Sequence, residues 1–341
     1  MEIMTKRERV LAIMEHKPVD RLPVQVNYTG VMGKKLAAFF QCDETMLQDR
    51  FENHLLRLDF QSGKKKVADK DLEYDVWGAG FDTAEEGYRI KEYPMGDRKE
   101  FVSYPWPDPE NRDLFAGISQ IIQDERNGSD RIILPNFGFL LFERAWSLVG
   151  FEEFLMDLYT EPRFCEELLE KITEIQIGFA RKWKEAGVDG GYFGDDLGAQ
   201  KGLLFSPEVW RKMFKPRLKR IFDVFTGAGL PVLLHSDGDI REILPDLIEI
   251  GLTCLNPCQP EVLNHRWLKK EYGKDLSFYG GLSTQEVLPM GTEEEVVEAG
   301  KRCIQELASD GTGLLFGPSH RIMSDIPEKN IQAFLSLYDF L

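Results

Sequence analysis

The sequence of 341 residues lacks any apolar run that could cross a bilayer, and it contains few cysteines and few basic clusters. A membrane-spanning helix needs about 18 or more apolar residues in succession, so none is expected. The opening segment, up to Lys17, mixes apolar and charged side chains and predicts an amphipathic helix instead of a signal peptide. Thr5 and Glu8 have the spacing of a capping box at the start of this helix.

Cysteine usage indicates the cellular compartment, and the net charge limits the classes of partner. The five cysteines are odd in number and scattered, which is typical of a reducing cytosol and predicts a cytoplasmic protein. The net charge is −16, and the one basic cluster is Lys64 to Lys66, so neither nucleic acid nor an anionic membrane is an expected partner. No GxGxxG or Walker loop occurs, which removes the usual nucleotide-binding motifs.

Strand and helix signals alternate along the chain, which predicts parallel βαβ units in an α/β fold. Seven short apolar strands are expected, beginning with LPVQVN at 22–27, and an eighth within 55–80 would close a TIM-type (β/α)8 barrel. A helix is expected at about 46–60. The irregular segment at about 63–112 predicts an N-terminal insertion of short hairpins beside the barrel, so that 1–341 form a single domain.

Polar and aromatic side chains stand at the ends of the predicted strands. In a barrel the loops after these strands meet over one cavity, so the side chains are expected to line one pocket. They are Asn27, Tyr28, Asn136, Phe137, Asp195, Asp196, His235, Asp237, Asn256, Gln259, Tyr279, Ser319 and His320. Arginine and lysine are missing from this set. Any single member could also serve only to cap a helix or to satisfy loop backbone.

A short apolar strand that ends in a histidine supplies the centre of the expected pocket. His235 ends this strand, and Asp237 follows on a Gly turn. In one arrangement, His235, Asp237 and His320 hold a divalent metal such as Zn or Fe(II), since two imidazoles and a carboxylate leave positions open for substrate. In the other, the histidines and Asp195 or Asp196 transfer protons without metal.

Several of the candidate residues and the remaining histidines could have purely structural roles. Asp237 could cap the following helix, although Asp239 is better placed for that role. His16, His54 and His265 fall in predicted helices, where surface or capping positions are expected.

Several long, ordered stretches carry a family resemblance. They are the opening MTKRERVLAIMEHKPVDRLP, the segment GGYFGDDLGAQKGLLFSPEVWRKMFKPRLKRIF, the block HSDGDI with LIEIGLTCLNPCQPE, the strand FYGGLSTQ and the terminal GLLFGPSHRIMSDIPEKNIQAF. Together they resemble the uroporphyrinogen decarboxylase superfamily, and more closely its branch of corrinoid-dependent methyltransferases of anaerobic microbes. The resemblance implies a (β/α)8 barrel with its active cleft at the carboxyl ends of the strands.

Two departures from the family pattern bear on the reaction. The decarboxylase has an arginine-bearing motif similar to RQAGRY after its first strand, whereas this chain has NYTGVMGKK there. Without arginine forks, several substrate carboxylates would stay unpaired, so haem-pathway decarboxylation is disfavoured. Thiol-activating relatives have an H-x-C zinc set and a cysteine in the last strand loop. His235 matches the histidine of that set. Asp237 stands where its cysteine would be, and His320 falls about where the last cysteine would be. This harder ligand set disfavours methylation of a thiol.

The resemblance implies a corrinoid-dependent methyltransferase component that uses a corrinoid (cobalamin) on a partner protein. The methyl group would move between cobalt and a small substrate, either a methoxy or N-methyl compound or tetrahydrofolate. His235, His320, Asp237 and Asp196 are the expected catalytic residues, and the other strand-end residues are expected to position the substrate. Two alternatives are a tetrapyrrole decarboxylase and a non-catalytic corrinoid-docking module.

Overall fold

The computed structural model describes residues 3–67, 70–84, 86–87 and 89–341, which form an α/β fold. The helices are α1 (Lys6–Met14), α2 (Gly30–Phe40), α3 (Leu47–Arg50), α4 (Ile118–Gly128), α5 (Phe142–Val149), α6 (Phe151–Thr160), α7 (Pro162–Ala186), α8 (Pro207–Val209), α9 (Lys215–Thr226), α10 (Leu244–Glu249), α11 (His265–Tyr272), α12 (Val287–Met290), α13 (Glu293–Leu307) and α14 (Glu328–Leu335). The strands are β1 (Leu55–Leu58), β2 (Lys65–Val67), β3 (Leu72–Tyr74), β4 (Gly80–Asp82), β5 (Ile90–Glu92), β6 (Ile132–Pro135), β7 (Gly191–Gly194), β8 (Gly198–Ala199), β9 (Gly202–Leu203), β10 (Val232–His235), β11 (Cys254–Asn256), β12 (Ser277–Leu282) and β13 (Leu314–Pro318).

Parallel pairing joins the strands of the central layer. Five of them pair in the order β13, β12, β11, β10, β7, and β1 pairs with β6. A parallel bridge between Phe139 and Gly194 places the end of β6 beside β7. These strands are short, apolar and mostly buried on both faces, as is usual where helices cover a parallel sheet. Their carboxyl ends therefore share one edge.

The predicted first strand, 22–27, is extended but does not form a continuous ladder. Val24 makes a parallel bridge to Phe316 in β13, and its carbonyl accepts the N–H of His54, just before β1, at 3.1 Å. The side-chain amide oxygen of Asn53 accepts the backbone N–H of Val26 at 2.7 Å. Side chains thus replace ladder bonds at this position, and the segment connects β13 with β1.

The predicted helix at 46–60 is wrong over most of its length. Only the single turn α3 forms, and Glu52 then adopts a left-handed φ of 49°, which ends the helix. The following LLRL segment is β1, the expected eighth strand, which pairs in register with β6. Its apolar residues fit a buried parallel strand as well as a helix face, so periodicity alone could not separate the two.

The segment at 63–112 contains an antiparallel sheet in the order β2, β3, β4, β5. One-turn 3-10 helices follow at Arg98–Ser103 and Arg112–Phe115. Trp77, in the turn before β4, is almost fully buried, and its ring lies 6.1 Å from that of Phe179 in α7. The small sheet is thereby attached to the main body by aromatic packing.

Helix boundaries follow local capping chemistry. The Thr5 hydroxyl accepts the N–H of Glu8 in α1, and the reciprocal bond is also present, which confirms the predicted capping box. Gly150, with a φ of 112°, separates α5 from α6. Within the described ranges, no helix is long and apolar enough to traverse a membrane.

Candidate active site

A cavity of about 550 Å³ opens where the carboxyl ends of the parallel strands meet. Its volume is typical of small-molecule pockets, which hold ~300–1,000 Å³. Nine of the predicted site residues line it, namely Asn27, Asn136, Phe137, Asp196, His235, Asn256, Tyr279, Ser319 and His320. The structure therefore brings together side chains that are up to hundreds of residues apart in the sequence.

The imidazole of His235 is oriented by Asn256. Nδ1 lies 2.6 Å from the Asn256 amide oxygen, which also accepts the O–H of Tyr192 at 2.9 Å. The Asn256 Nδ2 donates to the backbone carbonyl of Tyr279 at 3.0 Å, and this carbonyl can only accept, so the amide orientation is fixed. Nδ1 of His235 is therefore the donor in this bond, and Nε2 is the ring nitrogen left to face the neighbouring carboxyl groups.

Two carboxyl groups face this Nε2 atom. It lies 3.8 Å from an oxygen of Asp196 and 3.9 Å from an oxygen of Asp237. The backbone N–H of Asp237 donates to the same Asp196 oxygen at 2.9 Å, which fixes the two groups relative to each other. Burial raises the pKa of both carboxyl groups, and the neighbouring His235 lowers it by a smaller amount. The group can hold a proton beside Nε2 at a pH where an isolated aspartate has lost it.

His320 completes a possible ligand set with His235 and Asp237. One donor atom from each residue lies within 4.8 Å of the other two, and the two imidazole rings are 5.5 Å apart. Burial, reinforced by the nearby His235, lowers the pKa of His320 to about 4. At neutral pH His320 is therefore a neutral imidazole, with a lone pair on one ring nitrogen and an N–H on the other. Two imidazoles and a carboxylate, with the second nitrogen of one ring hydrogen-bonded, fit the donor chemistry of a divalent metal.

Asp195, predicted to position substrate, lies away from the cavity. It is fully buried, and its carboxylate accepts the N–H groups of Phe142 at 3.1 Å and Glu143 at 2.8 Å, where α5 begins. Burial raises its pKa to about 7. Successive residues of an extended chain point to opposite sides, so only one of the two neighbouring aspartates can face the cavity. Asp196 does so, and Asp195 caps a helix.

Tyr28 and Gln259 also lie outside the cavity lining. The Tyr28 hydroxyl accepts the side-chain N–H of Gln48 at 3.1 Å, and its ring packs 5.7 Å from that of Phe51. Gln259 is buried, and neither atom of its amide has a hydrogen-bond partner among the described residues. The predicted substrate contacts of both residues are therefore not supported by their positions.

Hydrogen bonds between side chains hold the polar lining in place. Nδ2 of Asn27 donates to the hydroxyl of Tyr279 at 2.6 Å, and Nδ2 of Asn136 donates to Asp59 at 2.7 Å. Ser319 is almost fully buried, and its hydroxyl oxygen accepts a backbone N–H from the loop after β12. These residues can shape the cavity without leaving many donors free for a ligand.

Two glutamates near the cluster were missed by the sequence analysis. Glu143 lines the cavity from α5, and burial, with the nearby Asp196, raises its pKa well above the usual value. Glu261 accepts the hydroxyl of Ser283 through one oxygen, while its other oxygen is buried without a partner, and its charge helps to raise the pKa of Asp237. Glu143 lies in the first turn of α5, and Glu261 lies shortly before α11. Acidic residues are common near helix starts, so the sequence carried no distinct signal for either.

The expectation that the pocket lacks basic residues is wrong. Arg57, Lys64, Arg144 and Arg321 all line the cavity. They come from β1, the edge of the small antiparallel sheet, α5 and the loop after β13, whereas the prediction considered only residues at the strand ends. The nearest charged neighbour of Lys64 is Glu73, at 3.8 Å.

The other three histidines do not occupy the expected surface helices. His54 is fully buried, and its Nδ1 lies 3.1 Å from the carbonyl oxygen of Val24. His265 begins α11 but is buried, with Nε2 2.8 Å from the carbonyl of Cys258. His16 follows α1 with a left-handed φ of 53°. Their positions outside the cavity agree with a structural role, but burial contradicts the surface prediction for His54 and His265.

The cavity has two chemically different ends. The polar end consists of Asp196, His235 and His320, which line the cavity, and of Asp237, which lies outside the lining with a carboxyl oxygen 3.9 Å from Nε2 of His235. The aromatic end consists of the rings of Trp77, Phe81, Phe139 and Trp146 around the guanidinium of Arg144. Neighbouring rings of this end are close, with centroids 5.9 Å apart for Phe81 and Phe139 and 5.4 Å apart for Phe139 and Trp146.

Similar proteins include methyltransferases and decarboxylases. A methylated-thiol–coenzyme M methyltransferase of Methanosarcina mazei is 23% identical over 344 residues, which cover 97% of this chain and 88% of that protein. A methylcobamide:CoM methyltransferase of Methanosarcina barkeri is 24% identical over 358 residues, covering 99% of both chains. A uroporphyrinogen decarboxylase of Thermus thermophilus is 28% identical over 186 residues, which cover 53% of this chain and 50% of that enzyme.

The solved structures and the family comparison agree on the fold. A structure described as a methyltransferase from Methanosarcina mazei matches with a TM-score of 0.74 and 20% sequence identity, over 99% of each chain, so the two share a fold. Residues 73–339 match the family model of uroporphyrinogen decarboxylase (URO-D). This match spans most of the chain. The chain therefore belongs to the uroporphyrinogen decarboxylase family.

Proposed function

We propose that this protein is the methyltransferase component of a corrinoid-dependent system, in which a methyl group moves between a small substrate and the cobalt of a corrinoid held by a partner protein. The observation that carries the proposal is the polar end of the cavity. There an imidazole of fixed orientation faces two carboxyl groups and a second, neutral imidazole.

The relatives support methyl transfer over decarboxylation. The two methyltransferases align with nearly the whole chain, whereas the Thermus decarboxylase aligns with about half of it. Identities of 23% and 24% support the reaction class and leave the substrate open. We further infer that residues 22–27 and the strands β1, β6, β7, β10, β11, β12 and β13 form a (β/α)8 barrel. Residues 1–341 would then be one domain, with 63–112 as an insertion. We also place the protein in the cytoplasm, because of its five scattered free cysteines.

The polar end is suited to assist the departure of a methyl group from oxygen or nitrogen. A reduced corrinoid on the partner protein would supply the electron pair that accepts the methyl group, and the pair of the broken bond would stay on the substrate atom. That atom then needs a proton. The Asp196, Asp237 and His235 group can supply it, because burial raises the pKa of both carboxyl groups above that of an ordinary aspartate.

A metal ion is compatible with the same residues. His235, Asp237 and His320 would hold it, and it would polarise the leaving atom of the substrate as a Lewis acid. The carboxylate and two imidazoles are harder ligands than thiolates and would stabilise a bound thiolate less. We therefore propose a methoxy or N-methyl compound, or tetrahydrofolate, as methyl donor or acceptor, in preference to a thiol.

Decarboxylation of a tetrapyrrole is the second candidate. The three arginines in the cavity favour it, because guanidinium groups could pair with substrate carboxylates. Five acidic side chains line the same cavity, namely Asp59, Glu73, Asp75, Glu143 and Asp196, so the lining carries little excess positive charge. A substrate with many carboxylates would meet more repulsion here than in a purely basic pocket.

The deciding experiment follows the methyl–cobalt bond. The purified protein, analysed for bound metal, is incubated with methylcob(III)alamin and a panel of acceptors, and loss of the methyl–cobalt absorption is recorded. We expect transfer with an oxygen or nitrogen acceptor and at least a hundredfold loss in His235→Ala. Absence of transfer in both directions, together with consumption of uroporphyrinogen, would reject methyl transfer. Corrinoid binding that is unaffected by His235→Ala, without any turnover, would indicate a docking module instead.

A further inference from the structure

We propose that Tyr192 is a positioning residue, which acts through Asn256 to keep the proton of the neutral His235 imidazole on Nδ1. This inference rests on the proposed function and deepens it, because it assigns control of the His235 imidazole to residues outside the polar end. Tyr192 lines the cavity but was not among the residues predicted from the sequence.

Two sets of acceptors compete for the proton of this imidazole. Nδ1 lies 2.6 Å from the amide oxygen of Asn256, whereas Nε2 lies 3.8 Å from a carboxyl oxygen of Asp196 and 3.9 Å from one of Asp237. Only the first distance is that of a hydrogen bond. Carboxylates are stronger acceptors than an amide oxygen, so a small movement of the ring toward them would favour a proton on Nε2 instead. The tautomer therefore depends on how firmly the Asn256 oxygen is held beside Nδ1.

The Asn256 amide is held by two contacts that favour the same orientation. Its Nδ2 atom donates to the backbone carbonyl of Tyr279 at 3.0 Å, and a carbonyl oxygen can only accept. Its oxygen accepts the hydroxyl proton of Tyr192 at 2.9 Å. If the amide rotated by half a turn, its oxygen would face the Tyr279 carbonyl, and the Tyr192 hydroxyl would lose its acceptor. Both contacts thus oppose the rotation that would place an N–H beside Nδ1.

Burial and a neighbouring cation keep the Tyr192 hydroxyl in the role of donor. The residue is 5% exposed, and burial raises the pKa of its hydroxyl, which therefore keeps its proton. Arg57 in β1 forms a hydrogen bond to the same hydroxyl, and its guanidinium carbon lies 5.2 Å from the ring centre of Tyr192. A guanidinium can only donate, so the hydroxyl oxygen accepts from Arg57 and its single proton remains for Asn256.

The Nδ1–H tautomer suits both possible arrangements of the polar end. In the neutral ring it leaves the lone pair of Nε2 able to accept a proton from Asp196 or Asp237, or to bind a divalent metal. A proton on Nε2 would block either role. The chain of hydrogen bonds from Arg57 to Nδ1 therefore prepares Nε2 for its chemistry in both cases.

The test locates the proton by ¹⁵N NMR of the full-length protein with labelled histidine side chains. A chelator first removes divalent metal, since a metal on Nε2 would itself force the proton to Nδ1. Spectra are recorded at mildly alkaline pH, where an imidazole of ordinary pKa is neutral, and the His235 signals are those absent from His235→Ala. We expect the Nδ1–H tautomer to be the major form in the wild type.

Two variants weaken the chain by different amounts. Tyr192→Phe removes one donor from the Asn256 oxygen, so the ratio of the Nδ1–H to the Nε2–H tautomer should fall about fivefold, the factor that one ordinary hydrogen bond supplies. Asn256→Leu removes the acceptor of Nδ1, so the Nε2–H tautomer, whose N–H faces the carboxyl groups, should become the major form. Circular dichroism melting identifies any variant that is misfolded.

Tyr279→Phe is the matched control. Tyr279 is also a buried tyrosine of the cavity lining, and its ring centre lies 6.4 Å from that of Tyr192. Its hydroxyl accepts from Asn27, and its bond to Asn256 comes from the backbone carbonyl, which the variant retains. This variant should leave the tautomer ratio unchanged. A wild type in which Nε2–H is the major tautomer, or an unchanged ratio in folded Tyr192→Phe, would overturn the proposal.

The outcome is separable from that of the proposed function. Asn256→Leu should also lower kcat for methyl transfer by about tenfold or more, as is typical when a partner of a functional histidine is lost. A tautomer ratio that responds to Tyr192→Phe, in a protein that transfers no methyl group to or from any corrinoid, supports the positioning role and rejects the methyltransferase function. Methyl transfer by a protein whose ratio does not respond supports the function and rejects the positioning role.

Discussion

The two ends of the cavity are built from different parts of the chain. The polar end comes from residues at or just beyond β7, β10 and β13, which are fixed by the hydrogen bonds of the parallel strands. The aromatic end comes from the turn before β4, from β4 itself, from the loop after β6 and from α5. One end is thus part of the main strand layer, while the other depends on the small antiparallel sheet.

This difference separates chemistry from recognition. Side chains at strand ends are held precisely enough for proton transfer, which requires hydrogen-bond distances in the reacting complex. Loops and small added sheets tolerate sequence change, so they can alter which ligand is accepted without disturbing the chemistry. We therefore expect substitutions at the polar end to lower kcat and substitutions at the aromatic end to raise KM.

The largest expected effect is that of His235→Ala. Removal of the imidazole takes away the ring nitrogen that faces Asp196 at 3.8 Å and Asp237 at 3.9 Å, and general acid catalysis typically contributes about 10²–10⁴-fold to the rate. We expect kcat for methyl transfer to fall by this factor while the KM of the methyl acceptor changes less than threefold. Stopped-flow absorbance of the methyl–cobalt bond over a range of acceptor concentrations measures both quantities.

Phe139→Leu provides the opposite test at the aromatic end. It removes an aromatic contact, worth about 1 kcal/mol, and should raise KM about fivefold with little change in kcat. If His235→Ala changed mainly KM, or Phe139→Leu mainly kcat, the division of the cavity into a chemical end and a recognition end would be incorrect.

The next largest effect should come from Asp195→Ala, because this carboxylate connects the two ends. It caps α5, which carries both Glu143 and Arg144. The alanine leaves two N–H groups without an acceptor in a buried position, at a cost of about 3 kcal/mol. Urea unfolding should show this loss, and ligand affinity should fall together with stability.

Asp196→Ala is the neighbouring control for Asp195. Its carboxylate is more than a third exposed to the cavity, so we expect less than about 1 kcal/mol of destabilisation and a large loss of activity. Asp195→Asn should lie between the wild type and Asp195→Ala in stability, since its amide oxygen can accept one of the two N–H groups while its NH₂ group cannot accept the other. A comparable loss of stability in both alanine variants would contradict the different roles of the two residues.

The polar end was more accessible to sequence reasoning than the aromatic end. His235 and His320 follow apolar strands, and parallel strands of one layer place their ends together, so their meeting could be predicted. The assignment of Asp195 failed because alternation along an extended chain decides which of two adjacent residues faces the cavity. Its phase was not evident in the sequence GGYFGDD.

The aromatic end could not be predicted, because it depends on long-range packing. Trp77 and Phe139 belong to segments without a regular pattern, and their approach to Arg144 follows from how the small sheet sits on the main body. Arg144 lies within an amphipathic helix and resembles an ordinary solvated charge in the sequence. Its burial and its bond to Asp75 are visible only in the folded chain.

The last expected effect is a pH dependence that His320 contributes at the polar end. Burial lowers the pKa of His320 to about 4, below its value of about 6.5 in the unfolded chain. Between these values the unfolded state binds more protons, so the contribution of His320 to stability is complete above pH 6.5 and is lost as pH falls toward 4. Water reaches this ring through the cavity, so we expect a loss of about 1–2 kcal/mol across the window. His320→Gln should remove this loss, which urea unfolding at a series of pH values would measure as a difference from the wild type that changes with pH. Because no titrating histidine stands at the aromatic end, Phe139→Leu should keep the wild-type pH profile. A difference in stability between His320→Gln and the wild type that did not change with pH would show that the fold does not hold the His320 imidazole neutral.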